Sequence, residues 1–175
     1  MTKRPFTHVT ASGKLRMVDI SNKRPTRRKA LARCLVVTTT ALTTLESRDD
    51  ELDALHAARV AGVFAAKRTA DVIPLCHSLN LSDVDVELRE REGGVEISAT
   101  VSATQATGVE MEALTACAFA ALSLLDALKD ADPHARIDDL VLLKKEGGKS
   151  GDWGRLVEGA DEGASTRRSK RRDAT

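Results

Sequence analysis

Residues 84–101, VDVELREREGGVEISATV, decide the fold of this chain. Apolar residues occupy every second position from 84 to 88 and again from 95 to 101, with polar or charged residues between most of them. This two-residue period is typical of strands that bury one face. Residues 92–94, Glu-Gly-Gly, form a turn sequence between the two runs. The stretch therefore predicts an antiparallel hairpin.

One strand and one helix are predicted on each side of this hairpin. Upstream, residues 34–45 are rich in Val and Thr, which favour a strand, and residues 52–69 have helical spacing, with Pro74 beyond them as a stop signal. Downstream, residues 109–129 carry an apolar stripe at helical spacing, and residues 136–145 predict a last strand. The resulting order, βαββαβ, predicts an α+β domain of ferredoxin-like, split βαβ topology. Its antiparallel sheet would carry two main helices on one face.

Composition divides the chain into three parts. Residues 1–33 have little apolar periodicity and predict a basic N-terminal arm, whereas residues 34–153 contain the predicted domain. Residues 154–175 are rich in Gly, Ser and Arg, which predicts a disordered tail. Because the predicted strands carry many Val and Leu residues, we expect a partner subunit to cover the second face of the sheet.

The net charge of +1 conceals a strong asymmetry. Residues 1–33 carry ten Lys or Arg against one acid, and residues 163–175 carry five against one. Residues 34–162 carry twelve bases against twenty-four acids. A basic arm on an acidic body suits an anionic ligand, a nucleic acid or a neighbouring subunit, and charge alone does not choose among them.

The 175 residues suit one cytoplasmic domain. No stretch approaches the ~20 apolar residues expected of a membrane helix, and the N-terminus lacks the apolar run of a secretory signal. Cys34, Cys76 and Cys117 are odd in number and far apart, which argues against a disulfide framework and against a structural zinc site.

Two loops carry residues that suit a binding site. Residues 148–150, Gly-Lys-Ser, resemble the end of a phosphate-binding loop, but Leu143 replaces the first glycine that a Walker motif requires. Such a turn can still cradle phosphate through backbone N–H groups and lysine charge, or it can be a solvated basic turn. Cys76 and His77 lie in an unusually apolar connector, residues 73–79, where the plainer interpretation is a buried loop with a packed cysteine.

The long predicted helix carries acidic residues at both ends. Glu112 lies in its first turn, where the helix dipole favours carboxylates. Asp126 lies three residues before Lys129, a spacing that commonly gives a surface ion pair. Because Asp126 interrupts the most apolar part of the helix, the pair can alternatively be one that carries out proton transfer. Glu112 and Asp126 are roughly 21 Å apart along a helix, so a site that uses both needs a long ligand or a second subunit.

The placement of the aromatic residues argues against base stacking on the predicted sheet. RNA-binding sheets of this topology stack bases on exposed aromatic side chains. This chain has no Tyr, and its aromatic residues, Phe6, Phe64, Phe119 and Trp153, all lie outside the predicted strands. Electrostatic binding of nucleic acid through the basic arm stays open.

Taken together, these segments resemble the cyclic pyranopterin monophosphate synthase (MoaC) family of molybdenum cofactor biosynthesis. The similarity covers roughly residues 7–153, and its most specific motifs are Pro-Leu-Cys-His at residues 74–77 and Val-Glu-Met-Glu-Ala-Leu-Thr-Ala at residues 109–116. Further matching segments are Thr7-His8, residues 17–23, Thr26, Arg28, residues 57–62 and 65–69, Lys145 and residues 147–151.

The resemblance implies a ferredoxin-like hexamer, a trimer of dimers, that converts 3′,8-cyclo-7,8-dihydroguanosine 5′-triphosphate to cyclic pyranopterin monophosphate and diphosphate. It implies no redox cofactor, and we expect no metal and no membrane. The general acid/base of the family matches Asp126, partnered by Lys129. The implied substrate contacts are Lys67, His77, the pocket residues Leu75, Cys76, Met111 and Glu112, the triphosphate-binding Lys145 and Lys149, and Arg28 in the arm.

Some positions depart from the family pattern. Glu51-Leu52-Asp53 stands where the family usually has Lys-Gly-Asp, although a shifted alignment would let Arg48 substitute. Ser78 replaces a proline, and Leu125-Asp126-Ala127 replaces Tyr-Asp-Met. A carboxylate at 51 would repel a triphosphate by on the order of 1 kcal/mol or more. This charge reversal makes an impaired paralogue that binds a nucleotide or partner one alternative. The basic arm and tail make a nucleic-acid-binding module another.

Overall fold

The central strand of the sheet is β1 (Thr26–Val37). A computed structural model describes residues 8–10, 12–40 and 53–155. β1 begins eight residues earlier than the strand predicted over residues 34–45 and ends at Val37, so residues 26–33 belong to the sheet rather than to the predicted arm. Residues 41–45 of that prediction lie outside the described residues. Its first buried positions, Ala30 and Ala32, alternate with larger and charged residues. Because alanine is only weakly apolar, the two-residue period of the strand is hard to detect in the sequence.

The sheet has the predicted topology with one additional short strand. Its order is β2-β3-β1-β4-β5, and all neighbouring strands pair antiparallel. The α+β, ferredoxin-like fold is therefore confirmed. The remaining elements are α1 (Ala54–Lys67), α2 (Thr69–Val72), β2 (Asp83–Arg91), β3 (Gly94–Gln105), α3 (Glu110–Leu128), β4 (Arg136–Glu146) and β5 (Trp153–Gly154).

The hairpin that decides the fold is formed by β2 and β3. Arg91 pairs with Gly94 at its end, and Gly93 adopts a φ of +80°, the left-handed region that a glycine reaches without strain. α1 packs against α3 beside it. A Cβ atom added at Gly62 would lie 2.9 Å from the carbonyl oxygen of Ala116 and 3.2 Å from Cβ of Ala120. Small residues therefore let the two helices approach closely.

α3 is the core helix of the domain. By length and composition alone α3 is long and apolar enough to cross a membrane. The prediction that no stretch approaches the apolar length of a membrane helix is therefore wrong. Half of this apolar stretch is buried, and α3 contacts α1, β1, β3 and β4. Cys117 and Leu124 are fully buried in that core. The apolar character of α3 is what a helix packed between a sheet and a neighbouring helix needs.

Strand pairing brings three segments to one end of the sheet. Thr26, at the start of β1, pairs with Gln105, at the end of β3. Lys29 pairs with Glu146, at the end of β4. The N-terminus of α3 follows β3 after a short connection, and a turn with three glycines, residues 147–151, follows β4 directly. We call it the glycine-rich turn. The described part of the arm, the first turn of α3 and this turn consequently meet.

Candidate active site

A basic cleft of about 1000 Å³ lies where these three segments meet. Among the described residues that line it, five carry positive charge and one, Glu110, is a carboxylate. Its lining consists of Asn22, Lys23, Arg24, Thr26, Arg28, Ala106, Thr107, Gly108, Glu110, Lys145, Gly148, Lys149 and Ser150. Positive side chains converging on one concave surface favour an anion that carries several negative charges.

The glycine-rich turn forms one wall of the basic cleft. Gly147 and Gly148 have φ values of +84° and +83°, and the N–H of Gly147 donates to Oδ1 of Asp152 at 2.8 Å. The strand β5 follows the turn, where a Walker motif would begin a helix. Lys145 donates to the hydroxyl of Ser150, so its ammonium group is held at the wall.

A second, inner cavity of about 340 Å³ adjoins the basic cleft. Lys23, Thr107, Gly108 and Glu110 line both, so the two spaces form one continuous site. The inner cavity is less charged and contains groups that can exchange protons. Its lining consists of His8, Val18, Lys23, Leu75, Cys76, His77, Leu79, Thr107, Gly108, Glu110, Met111 and Glu112.

Glu112 is the buried acid of the inner cavity, with 4% of its surface exposed. Burial, with a smaller contribution from the charge of Glu110, raises the pKa of Glu112 from 4.5 to about 7. Burial and the neighbouring Glu112 also raise the pKa of Cys76. The Cys76 thiol is therefore kept in its neutral form, which argues for a packing role and against a nucleophilic one.

Glu110 connects the two halves of the site. Its carboxylate lies 3.8 Å from the Nζ atom of Lys145 and folds back over Gly108, where an added Cβ atom would overlap it. Both side chains of this ion pair are largely covered. Because Glu110 lines both spaces and Lys145 lines only the basic cleft, this ion pair lies where the two spaces adjoin.

Asp126 and Lys129 form an ion pair at the opposite end of α3. Their charged atoms are 2.9 Å apart, and 76% and 63% of the two side chains are exposed. The sequence places Asp126 in the most apolar part of the helix, but the structure turns it to the surface because the buried stripe runs through Leu124 and Leu128. Within one chain the pair lies outside both cavities.

The structure brings together eight of the eleven residues that the sequence suggested. Arg28, Lys145 and Lys149 line the basic cleft, and Leu75, Cys76, His77, Met111 and Glu112 line the inner cavity. Lys67 lies exposed in the last turn of α1, outside both cavities, as do Asp126 and Lys129. Glu51, Arg48 and Phe6 lie outside the described residues, as do residues 156–175 of the predicted tail. Gly154, predicted as the first residue of that tail, instead belongs to β5.

Sequence reasoning assigned no role to several lining residues, chiefly Lys23, Arg24, His8 and Glu110. Lys23 and Glu110 lie in segments that match the family but carry no individual role there, and Arg24 contributes to the sequence analysis only as a charge of the arm. The helix dipole already explains an acid at position 110, so its pairing with Lys145 has no local signal. Trp153, predicted to lie outside the strands, belongs to the two-residue strand β5, where the guanidinium of Arg155 lies 5.9 Å from its ring centre.

Comparison with known proteins gives a consistent result. A family model described as the MoaC family matches residues 17–148. A Mycobacterium tuberculosis (strain ATCC 25618 / H37Rv) protein named cyclic pyranopterin monophosphate synthase 2 is 49% identical over 152 residues, covering 86% of this chain and 91% of that protein. Proteins named cyclic pyranopterin monophosphate synthase from Chloroflexus aggregans (strain MD-66 / DSM 9485) and Peptoclostridium acidaminophilum are 49% and 44% identical, each over 86% of this chain and over 93% and 97% of their own lengths.

Proposed function

The chain belongs to the MoaC family, and we propose that it catalyses the conversion of (8S)-3′,8-cyclo-7,8-dihydroguanosine 5′-triphosphate to cyclic pyranopterin monophosphate and diphosphate. It is accordingly a lyase of molybdenum cofactor biosynthesis. We place this reaction in the cytoplasm, because the three cysteines are free thiols, as expected in a reducing compartment.

The observation that carries this proposal is the continuity of the basic cleft with the inner cavity. The substrate has the same division, since three phosphates lie at one end and a fused ring system at the other. Lys145, Lys149 and Arg28 would bind the phosphates in the basic cleft. His77 and Glu112 would contact the ring system in the inner cavity. A site with a single uniform charge would fit one end of this molecule only.

The basic cleft suits the step that closes the cyclic phosphate. In that step a substrate hydroxyl loses its proton, its oxygen forms a bond to the first phosphorus, and the bond from that phosphorus to the departing diphosphate breaks. Negative charge accumulates on the leaving diphosphate. Lysine and arginine side chains that are already in place stabilise this charge without reorganisation, which is the largest contribution in many enzymes.

The inner cavity suits the proton transfers of the ring rearrangement. With a pKa of about 7, Glu112 is present in both its protonated and its ionised form near neutral pH. A general acid or base is most effective when its pKa lies near the working pH. Glu112 is therefore our candidate for a proton-transfer group within the same chain as the cavity, beside the acid/base role implied for Asp126.

For Asp126 and Lys129 to act on the same substrate, a second copy of the chain must supply them. Within one chain Asp126 lies fourteen residues beyond Glu112, roughly 21 Å along α3. Phe119 and Leu122 are exposed on the helical stripe that leads to this pair. A neighbouring copy that covers this apolar stripe would bring its own cavity toward the pair. We therefore propose a homo-oligomer, consistent with the hexamer of the family, whose active sites lie between subunits.

Turnover of the cyclic triphosphate tests the activity directly. Diphosphate and pyranopterin are measured together for the wild type, Asp126→Asn and Asp130→Asn. Asp130 is an exposed acid near Asp126 that lies outside both cavities, which makes it a matched control. We expect Asp126→Asn to abolish turnover and Asp130→Asn to retain it. Because the Asp126 pair is exposed, its loss should change the stability by no more than about 1 kcal/mol. Full turnover by Asp126→Asn would refute its assigned role.

Complementation tests the shared site. Asp126→Asn and Lys145→Ala are each expected to be inactive alone. If each site combines the cavity of one subunit with the Asp126 of another, random mixing after joint unfolding and refolding leaves about a quarter of the sites intact. Activity should then recover to about that fraction. If the mixture stays as inactive as its components, the two residues serve the same chain and the interface proposal is wrong.

A further inference from the structure

Gly148 packs against the charged end of Arg28 in the wall of the basic cleft. A Cβ atom added at Gly148 would overlap Nη1 of the guanidinium and lie 2.7 Å from its central carbon and 3.2 Å from Nη2. The added atom would thus meet all of the terminal part of the guanidinium. The planar group lies against the bare backbone of the glycine, in space that any side chain at position 148 would occupy.

Two further contacts hold the guanidinium in this place. Its Nε atom donates to the carbonyl oxygen of Gln105 at 3.4 Å, and the side chain is partly buried where it leaves β1. Gly147, the preceding residue of the turn, lies beside the aliphatic stem, with 3.7 Å between an added Cβ atom and Cδ of Arg28. Arg28 is thus held between the end of β3 and the glycine-rich turn.

We infer that Gly148 is a positioning residue, whose missing side chain seats the guanidinium of Arg28 in the wall of the basic cleft for binding phosphate. A guanidinium that is fixed in orientation presents its N–H groups as a fork, a geometry that matches two oxygens of a phosphate. An arginine displaced into solvent would lose this preorganisation and would have to order itself on binding. That the phosphate belongs to the substrate triphosphate rests on the proposed function, but the seating of Arg28 does not.

The backbone conformation offers a competing reason for a glycine at this position. With φ at +83°, Gly148 is in the left-handed region, and any other residue there is strained. The same turn contains a matched comparison. Gly151 has a φ of +70° and no atom within 4 Å of an added Cβ. A Gly151→Ala variant therefore has similar backbone strain without displacing Arg28.

Binding of inorganic tripolyphosphate to the full-length chain tests the assignment by calorimetry. The variants are Gly148→Ala, Gly151→Ala, Arg28→Ala and the double variant of positions 28 and 148. Loss of a charge-assisted contact predicts about ten- to a hundredfold weaker binding for Gly148→Ala and for Arg28→Ala. Gly151→Ala should bind like the wild type. The double variant should bind like Arg28→Ala alone, because the side chain that Gly148 positions is already missing.

Each other result has a defined meaning. The assignment is wrong if Gly148→Ala binds tripolyphosphate as tightly as the wild type. It is also wrong if the double variant binds more weakly than Arg28→Ala, or if the wild type itself does not bind tripolyphosphate. If Gly148→Ala alone does not fold but the double variant folds and binds like Arg28→Ala, the overlap is confirmed. Unfolding of both would show a backbone requirement and overturn the assignment. A wild type that binds tripolyphosphate but does not convert the cyclic triphosphate would refute the proposed function and leave this inference standing.

Discussion

Replacing Glu112 by glutamine should make the stability of the protein less sensitive to pH. Glutamine has the same shape as a protonated glutamate but cannot ionise. The pKa of Glu112 is about 7 in the folded chain, against an ordinary value of 4.5. Below pH 4.5 the carboxyl group is protonated in both the folded and unfolded states and costs nothing. Above pH 7 it ionises in either state, and only the folded state keeps the charge buried.

The magnitude follows from the difference between the two pKa values. A difference of about 2.5, at 1.36 kcal/mol per pKa unit, amounts to about 3 kcal/mol. The wild type should therefore lose about this much stability from Glu112 between pH 4.5 and pH 8, and Glu112→Gln should not. The free energy of unfolding of Glu112→Gln, measured relative to the wild type, should accordingly rise by about 3 kcal/mol over this range.

Urea unfolding at pH 4.5, 6, 7 and 8 measures this difference, at one protein concentration because an oligomer's stability depends on it. Glu110→Gln is the matched control, since it removes the neighbouring charge but leaves Glu112 buried. Because burial is the larger cause of the raised pKa, most of the pH dependence should persist in that variant. A difference between Glu112→Gln and the wild type that stays constant from pH 4.5 to pH 8 would refute the reasoning.

Two further variants test contacts around the site and the helix end. Gly108→Ala should push the carboxylate of Glu110 away from Lys145. Because the charge of Lys145 is then free for phosphate, tripolyphosphate should bind up to about fivefold more tightly, as measured by calorimetry. Weaker binding would contradict this. Asp132 accepts hydrogen bonds from Thr38 and Thr39, the two residues after β1, chiefly from the N–H of Thr39, and these bonds lower the pKa of its carboxyl group. Asp132→Asn should therefore lower the melting temperature at neutral pH. The deficit should shrink as the pH falls below about 3.8, the ordinary pKa that Asp132 has in the unfolded chain, and disappear below its lowered pKa in the folded chain; a deficit independent of pH would argue against this account.

The fold was predictable because its pattern is local in most elements. The hairpin and α3 each repeat an apolar period over many residues, and the structure confirms both. The start of β1 was not predictable in this way. Ala30 and Ala32 are its first fully buried positions, and two alanines flanked by Lys29 and Arg33 are a weak strand signal. Pairing with β3 and β4 on both sides overrides this weak local preference.

The site was predictable as a set of motifs but not as a shape. A motif such as residues 74–77 indicates which side chains act together, and the structure places Cys76 and His77 in the inner cavity. No local pattern indicates that Glu110 would face Lys145, because that contact depends on the end of β4 lying beside the start of α3. The exposure of Asp126 was likewise decided by which side of α3 packs on the sheet.

Composition alone does not indicate which ligand the basic N-terminal segment binds, but the positions of its charged side chains in the structure do. An arm of this charge suits a nucleic acid, a small anion or a subunit, and a freely solvated arm would favour the first. Lys23, Arg24 and Arg28 instead converge with Lys145 on one cleft, and Arg28 is fixed there by Gly148. The basic cleft encloses these cations around a limited volume, and it adjoins the inner cavity, where protons can be exchanged. Such a site favours a compact polyanion that carries a reactive ring system. A long phosphate backbone would need the charges spread along an extended surface. The placement of these charges therefore favours the triphosphate substrate, and this argument does not depend on the similarity to known synthases.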